Sequence, residues 1–137
     1  MRLRQIIKDD QWRDNPPNLE WRPEQGPYQT VSVTAERRDA KSLLALYRRL
    51  IAVRRRLPVL AVGDYRGLQG EGDLLAYLRE HQGQRVAIVL NLGIESLRFE
   101  LPGSGQVLLS TNLHREAEPV KRLLDLRPNE GLVVELD

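Results

Sequence analysis

An amphipathic helix is the strongest feature in the pattern of apolar and polar positions. Apolar residues recur at helical spacing from Leu43 to Leu57, with Asp39 as the predicted N-cap and Pro58 as the residue that ends the helix. We therefore predict one long helix over residues 39–57. Its apolar arc is broad, which indicates that it packs on more than one side.

After the helix, the pattern changes to short apolar or alternating stretches separated by turns that contain glycine or proline. Short strands at regular intervals are typical of an antiparallel sandwich. Residues 81–84 predict a hairpin loop, and Phe99 is expected to be buried. The predicted strands are residues 74–80, 85–92, 96–101, 106–110, 123–126 and 132–136. We therefore predict a mainly β domain, an antiparallel β-sandwich, over residues 58–137.

The first 38 residues differ from the rest in their closely spaced prolines and few aliphatic side chains. Each residue before a proline is disfavoured in a helix, so residues 1–38 are predicted to be an irregular arm of turns and extended chain. Residues 9–38 should be the most protease-sensitive part of the chain. Trp12 and Trp21 lie among prolines and arginines; we expect them to pin the arm to a neighbouring domain, with a sugar-stacking platform as the alternative.

Composition and charge exclude several classes of protein. A chain of 137 residues is one domain by length, and its net charge of +2 is too small to indicate nucleic-acid binding. No stretch approaches the roughly 18 apolar residues of a membrane span. There is no cysteine, hence no disulfide and no thiolate metal site. We expect a cytoplasmic protein with neither a nucleic-acid nor a membrane partner.

Few side chains suggest catalysis. His81 and His114 fall in predicted loops, and their spacing matches no zinc motif. Residues 67–72 have the glycine spacing of a phosphate-binding loop, but they lack the Lys-Ser/Thr pair that ends such a loop. The acidic residues between positions 9 and 14 are expected to be solvated. Carboxylates in predicted turns are read as surface charge: Glu71, Asp73, Glu95, Glu116 and Glu118. We therefore predict no catalytic residue, no metal site and no cofactor.

Several segments together resemble the end of a known enzyme family. They are residues 43–50, 54–55, 58–65, 75–79, 86–91, 109–112 and 126–131. In both composition and spacing they resemble the last barrel helix and the C-terminal β-domain of α-glucosidases of the α-amylase family. The resemblance covers about a hundred residues and implies a β-sandwich of the α-amylase C-terminal type, preceded by a barrel-closing helix.

The arm resembles a different part of the same enzymes. Residues 6–28 look like the excursion after the fourth strand of the catalytic barrel, which follows the strand with the nucleophilic aspartate. None of the family's catalytic motifs can be placed, so no catalytic residue is carried over. The resemblance implies a noncatalytic C-terminal domain or a truncated form of an α-glucosidase-like glycoside hydrolase, inactive alone, whose parent enzyme acts on α-glucosides such as maltose or sucrose.

Two other functions stay open, a carbohydrate-binding module and a partner-binding module. On the helix, the stripe of Leu43, Tyr47, Leu50 and Leu57 is expected to cover the sandwich. The other side of the helix would meet elements outside the domain. The predicted interface residues are Leu44, Tyr47, Ile51, Trp12 and Trp21. The predicted partner is a second copy of the chain or a glycoside hydrolase barrel, with the aromatics of the arm as another cover for the same patch and carbohydrate as a weaker candidate.

Overall fold

Three helices precede eight strands in the part of the chain that the computed structural model describes, residues 32–68 and 70–137. The helices are α1 (Val33–Glu36), α2 (Leu43–Arg56) and α3 (Val59–Val62). The strands are β1 (Asp64–Leu68), β2 (Leu74–His81), β3 (Gln84–Asn91), β4 (Leu97–Glu100), β5 (Gly105–Ser110), β6 (Pro119–Val120), β7 (Leu123–Leu126) and β8 (Gly131–Leu136). None of these helices is both long and apolar enough to cross a membrane.

The strands form two antiparallel sheets. Six of them lie in the order β1-β2-β3-β8-β5-β6, and β4 pairs with β7 in a second, two-stranded sheet. Strand β8 is the last in sequence, yet it lies between β3 and β5 in the large sheet. The predicted antiparallel β-sandwich is confirmed.

The main core lies between the two sheets and follows from the alternation of the strands. In β2, for example, Ala76 and Leu78 point into this core, whereas Leu75 is exposed. Phe99, on β4, closes the core from the small sheet, so its predicted burial is confirmed. The other buried members are Ala87, Val89, Leu101, Val107, Val120, Leu124, Leu126, Leu132, Val134 and Leu136.

The outer face of the large sheet carries a second apolar cluster. Strand β3 is buried on both sides, because all four residues from Val86 to Val89 are buried. Val86 and Ile88 point away from the main core and pack with Leu57 and Val59, which follow α2. The segment from the end of α2 through α3 therefore covers the outer face of the sheet.

A tight turn sets the pairing of the two central strands. Gln82 and Gly83 join β2 to β3 with φ angles of 49° and 83°, both in the left-handed region. Two such residues make the type of turn whose twist matches a β-hairpin. The His81↔Gln84 pair closes the ladder directly beside the turn. The predicted hairpin is present, but its turn has two residues and not the four of the predicted loop 81–84.

Asn91 fixes the loops at the other end of β3. Its side chain is buried, and its amide nitrogen donates to the backbone carbonyls of Glu95 at 2.7 Å and Arg127 at 2.8 Å. Its oxygen accepts from the backbone N–H of Gly93 at 3.0 Å. All the polar atoms of this buried side chain are thereby satisfied, and two loops are held together.

The start of α2 differs from the prediction. Ser42, not Asp39, is the N-cap, since its hydroxyl accepts from the backbone N–H of Ala45 at 3.2 Å. Asp39 instead accepts from the N–H of Lys41 in the preceding turn. The cap therefore lies where a hydroxyl can reach the third residue of the helix, as N-caps require.

The description of residues 1–38 as turns and extended chain is wrong for residues 33–36, which form α1. No proline falls between residue 28 and this helix, and Ser32 caps it by accepting from the N–H of Ala35 at 3.2 Å. The predictions for residues 1–31, including those for Trp12 and Trp21, lie outside the described residues.

The predicted orientation of α2 is wrong for most of its stripe. Leu57 is buried against the sheet, but Leu43, Tyr47 and Leu50 are 60%, 58% and 37% exposed. Only the last part of the stripe meets the sheet, because the chain turns into α3 directly after the helix. Most of the apolar arc of α2 therefore stays exposed to solvent.

Truncation of a buried side chain should destabilise this fold far more than truncation of its exposed neighbour. Leu78 is 0% exposed in the main core, while Leu75 on the same strand is 45% exposed. We expect Leu78→Ala to lower the free energy of unfolding by about 2–5 kcal/mol and Leu75→Ala by less than about 1 kcal/mol. Urea denaturation followed by circular dichroism measures both, and equal losses would contradict this assignment of the core.

Candidate docking surface

An exposed apolar face runs along α2. Leu43, Tyr47, Leu50 and Ile51 all keep more than a third of their surface in contact with solvent, and Ile51 is 48% exposed. No residue of this 14-residue helix is fully buried. A contiguous apolar face of this kind on a folded domain is typical of an interface.

A groove separates this face from the outer side of the large sheet. Its volume is about 530 Å³, and α2, α3 and the sheet all contribute to it. Arg54 and Arg79 line it together with the apolar residues. The other lining residues are Tyr47, Leu50, Ile51, Val53, Leu60, Ala61, Tyr77, Ile88 and Val133.

The structure brings together two of the five residues predicted as an interface. Tyr47 and Ile51 lie one turn apart on α2 and line the same groove. Leu44 is half-buried, and its backbone N–H donates to the carboxylate of Glu36 at 3.1 Å, so that α1 supplies negative charge at the start of α2. Trp12 and Trp21 lie outside the described residues.

Sequence reasoning missed the sheet's contribution to the groove. Tyr77 and Arg79 alternate with the core residues Ala76 and Leu78 on β2, which places them on the opposite face. Arg79 donates from its guanidinium to the backbone carbonyls of Val59 and Ala61, both at 3.4 Å, and so ties α3 to the sheet. The alternation of residues in β2 could have indicated that Tyr77 and Arg79 lie on the outer face of the sheet. It could not have indicated that α2 and α3 lie beside that face.

The charge on α2 is all of one sign. The helix contains five arginines and no acidic residue. Arg49 forms an ion pair with Glu116 at 3.8 Å, on the side of the helix that faces the domain. The remaining arginines (Arg48, Arg54, Arg55 and Arg56) make no ion pair with a carboxylate of residues 32–68 or 70–137.

Two tyrosines pack against each other on strands β1 and β2. The rings of Tyr65 on β1 and Tyr77 on β2 have centroids 5.2 Å apart and are tilted by 34°. Tyr65 is exposed, while Tyr77 is half-buried. The rings pack on each other at an angle, so they do not present one flat surface of the kind that stacks on a sugar.

A network of charged groups crosses the far side of the sandwich. The guanidinium of Arg115 donates to Glu130 at 3.0 Å, and it donates to both carboxylate oxygens of Glu118 at 2.8 Å. It also donates to the carbonyl of Asp125 at 2.8 Å. Glu130 accepts in addition from the N–H of Arg127 at 2.9 Å. Arg115 thus joins the loop before β6 to the turn between β7 and β8.

This network is structural, because its central carboxylate has no access to a substrate. The Glu130 side chain is 0% exposed, and its Oε1 has no hydrogen-bond partner among the described residues. A glycosidase needs one carboxylic acid and one carboxylate that face a sugar. Here both Glu118 and Glu130 are bound by the same arginine. The reading of Glu118 as plain surface charge missed this contact.

The charge of Arg115 affects the protonation of its neighbours. The hydrogen bond from Arg115, followed by its positive charge, holds the pKa of Glu118 below its ordinary value of 4.5. At the surface, the hydrogen bond from Arg98 likewise lowers the pKa of Asp125. These shifts concern groups in ion pairs and do not indicate an acid–base catalyst.

The two histidines lie apart. His81 ends β2 beside the hairpin turn, and His114 lies in the loop between β5 and β6. In the described part of the chain, no three histidine, aspartate or glutamate side chains are grouped so that they could hold a metal ion. The acidic residues Asp9, Asp10 and Asp14 lie outside it.

Comparison with known proteins finds relatives that are longer than this chain and that differ in their named functions. The amino acid transporter heavy chain SLC3A2 of Oryctolagus cuniculus is 35% identical over 118 residues, which cover 76% of this chain and 22% of the relative. The trehalose-6-phosphate hydrolase of Escherichia coli is 30% identical over 109 residues, 77% of this chain and 19% of the relative. No protein-family model matches the chain.

Comparison with solved structures also finds a similarity to part of a longer protein. The trehalulose synthase MutB of Pseudomonas mesoacidophila superposes with a TM-score of 0.73 at 26% identity, over 82% of this chain and 21% of that one. The chain thus spans about a fifth of the length of the proteins that it matches.

The depressed pKa of Glu118 predicts part of the acid sensitivity of the fold. A carboxylate with a lowered pKa contributes stability that is present above its ordinary value of 4.5 and is lost as the pH falls through its folded pKa. We expect the melting temperature to fall below that pH, and to fall less steeply for Glu118→Gln. Glu95→Gln, at an exposed carboxylate outside the network, is the control. Identical pH profiles for Glu118→Gln and the unmodified chain would contradict this assignment.

Proposed function

We propose that this chain, which belongs to the α-amylase family of glycoside hydrolases and matches a noncatalytic part of such enzymes, braces the catalytic barrel of an α-glucosidase-like enzyme. The exposed face of α2 carries this proposal. Leu43, Tyr47, Leu50 and Ile51 are apolar, lie on one side of the helix and stay in contact with solvent. Fully burying an exposed aliphatic side chain contributes roughly 1.5–3 kcal/mol, and each of the four residues would contribute in proportion to the surface that it still exposes.

The attachment of α2 to the sheet supports a bracing role. Val53, Leu57 and the α3 residue Val59 anchor the helix to the β domain. The exposed apolar face, which lies beside these residues on the helix, is then held at a fixed orientation by a folded sheet. Because the helix is attached to the β domain and also exposes apolar residues, a domain that packs on those residues is held in a fixed orientation relative to the β domain.

The relatives support a role separate from catalysis. Two of the proteins reported above are named as enzymes, and the third is named as the heavy chain of an amino acid transporter. The shared segment therefore occurs in proteins with different named functions, as expected of a part that supports another domain. We propose hydrolysis of α-glucosidic bonds as the activity of the parent enzyme, and a cytoplasmic location, which suits a chain without cysteine.

The chain alone should not hydrolyse glycosides. The two carboxylates that converge in the described residues, Glu118 and Glu130, are bound by Arg115, and one of them is buried. We expect no release of nitrophenol from nitrophenyl α-glucoside above a blank from a mock purification. Hydrolysis that co-elutes with the chain and disappears when a carboxylate is replaced by its amide would contradict the proposal.

A segment exchange tests the bracing role itself. We expect the E. coli trehalose-6-phosphate hydrolase to keep activity when its matching segment is replaced by the corresponding segment of this chain. In that chimera, Ile51→Glu should lower activity and melting temperature, whereas in the isolated chain it should leave the melting temperature unchanged, because Ile51 is exposed.

The matched control is Ile94→Glu, the same substitution in an exposed loop, where the side chain is 86% exposed. It should have no effect in the chimera or in the isolated chain. A chimera that folds and is active, but tolerates Ile51→Glu as well as Ile94→Glu, would rule out docking through α2.

A further inference from the structure

Strand β4 has an open edge on the side away from β7. In the part of the chain that the structure describes, β7 is its only strand partner. The backbone N–H of Leu101 donates to the carbonyl of Arg122 at 2.7 Å. Because hydrogen-bonded and non-bonded pairs alternate in an antiparallel ladder, the odd-numbered residues of β4 bond to β7. Arg98 and Glu100 therefore direct their backbone N–H and C=O groups towards the open edge.

The side chains along this edge carry charges of opposite sign. On the exposed face of β4, Arg98 pairs with Asp125 at 2.6 Å and Glu100 pairs with Arg122 at 3.0 Å. Unpaired strand edges tend to recruit a further strand, and charged side chains are a common protection against this. Here one charge is positive and the other negative, so the effect on a second copy of the strand depends on the register.

The backbone geometry limits the possible registers. In a twofold pair of β4 strands, three registers place outward-directed residues of β4 opposite each other. One sets Arg98 opposite Arg98 and another sets Glu100 opposite Glu100, and like charges in such positions are destabilising. In the third, which is centred on Phe99, Arg98 of each copy lies opposite Glu100 of the other. Only this register gives two pairs of opposite charge.

The same register also satisfies the backbone. Each pair of Arg98 with Glu100 of the other copy would exchange two N–H···O=C hydrogen bonds, and the two Phe99 residues would form the closely spaced, non-hydrogen-bonded pair between them. The two small sheets would become one sheet of four strands in the order β7-β4-β4-β7. A sheet of this size is more stable than a two-stranded ribbon.

The open edge lies in a different layer from α2. The small sheet covers the inner face of the large sheet, whereas the segment from Leu57 to Val59, at the end of α2, covers its outer face. Pairing through β4 would therefore leave α2 free, and a barrel that packs on α2 would leave β4 free.

We propose that β4 is a self-association edge, at which two copies of this chain pair antiparallel in the register centred on Phe99. The association is independent of the proposed function, since it does not use α2. Contacts of this size are weak and transient, so the dissociation constant is expected to be on the order of 0.1–1 mM. Because the pairs of opposite charge are exposed, high salt should weaken the dimer.

Sedimentation equilibrium of the full chain tests this association. From about 10 μM to about 1 mM, the unmodified chain should shift from monomer to dimer. Glu100→Arg leaves two positive charges on the edge and Arg98→Glu leaves two negative charges. Each variant alone should associate at least about fivefold more weakly than the unmodified chain, because like charges then meet in every register.

A mixture of the two variants is the decisive measurement. In the mixed dimer every pair across the edge is again of opposite charge, so Glu100→Arg and Arg98→Glu together should associate although each alone does not. Glu71→Arg and Arg38→Glu make the same changes of charge at exposed residues outside β4, and should leave the association of the chain unchanged. Circular dichroism shows whether each variant keeps its fold.

Three results would overturn the inference. The first is an unmodified chain that stays monomeric over the whole range, and the second is a dimer that Glu100→Arg leaves intact. The third is a mixture of the two folded variants that associates no better than either alone. A dimer that Ile51→Glu dissociates and Glu100→Arg does not would assign the contact to α2 and not to β4.

Discussion

Strand β3 must be kept from water on both of its faces, and this constraint organises the rest of the domain. Its run from Val86 to Val89 has no polar side, so a single covering layer cannot stabilise the sheet. The small sheet covers one face, and the segment from Leu57 to Val59 covers the other. The helix that precedes this segment is consequently attached to the domain at its C-terminal end, with most of its apolar arc directed outwards.

Buried polar side chains hold the loops of the sandwich together. Asn91 joins two loops at the end of β3, and Arg115 joins the loop before β6 to the turn before β8. These contacts fix loops that the two apolar clusters do not reach. They also withdraw Glu130 and most of Arg115 from solvent.

Much of the fold could be predicted from the sequence, because alternation and turn residues are local signals. They located β2, β3 and the turn between them to within one residue at most strand ends. Strands β1 and β6 and helices α1 and α3 were not predicted, since two to five residues are too short for a period to show. The arc of α2 was also visible, but periodicity does not say which part of an arc meets the domain's own sheet. The burial of Glu130 depends on Arg115, 15 residues away, and no local pattern encodes that contact.

The position of β8 has a consequence for how the domain is made. Its residues, 131–136, pair on one side with β3 and on the other with β5, so the large sheet has a gap until they arrive. A ribosome delivers them after every other strand. Until then, the hairpin of β2 and β3 has an unpaired edge and apolar residues without cover, a combination that invites association between nascent chains. The large sheet is therefore completed in one late, non-local step, the pairing of β8 with β3 and β5. Before that step the exposed apolar residues are available for a chaperone to bind.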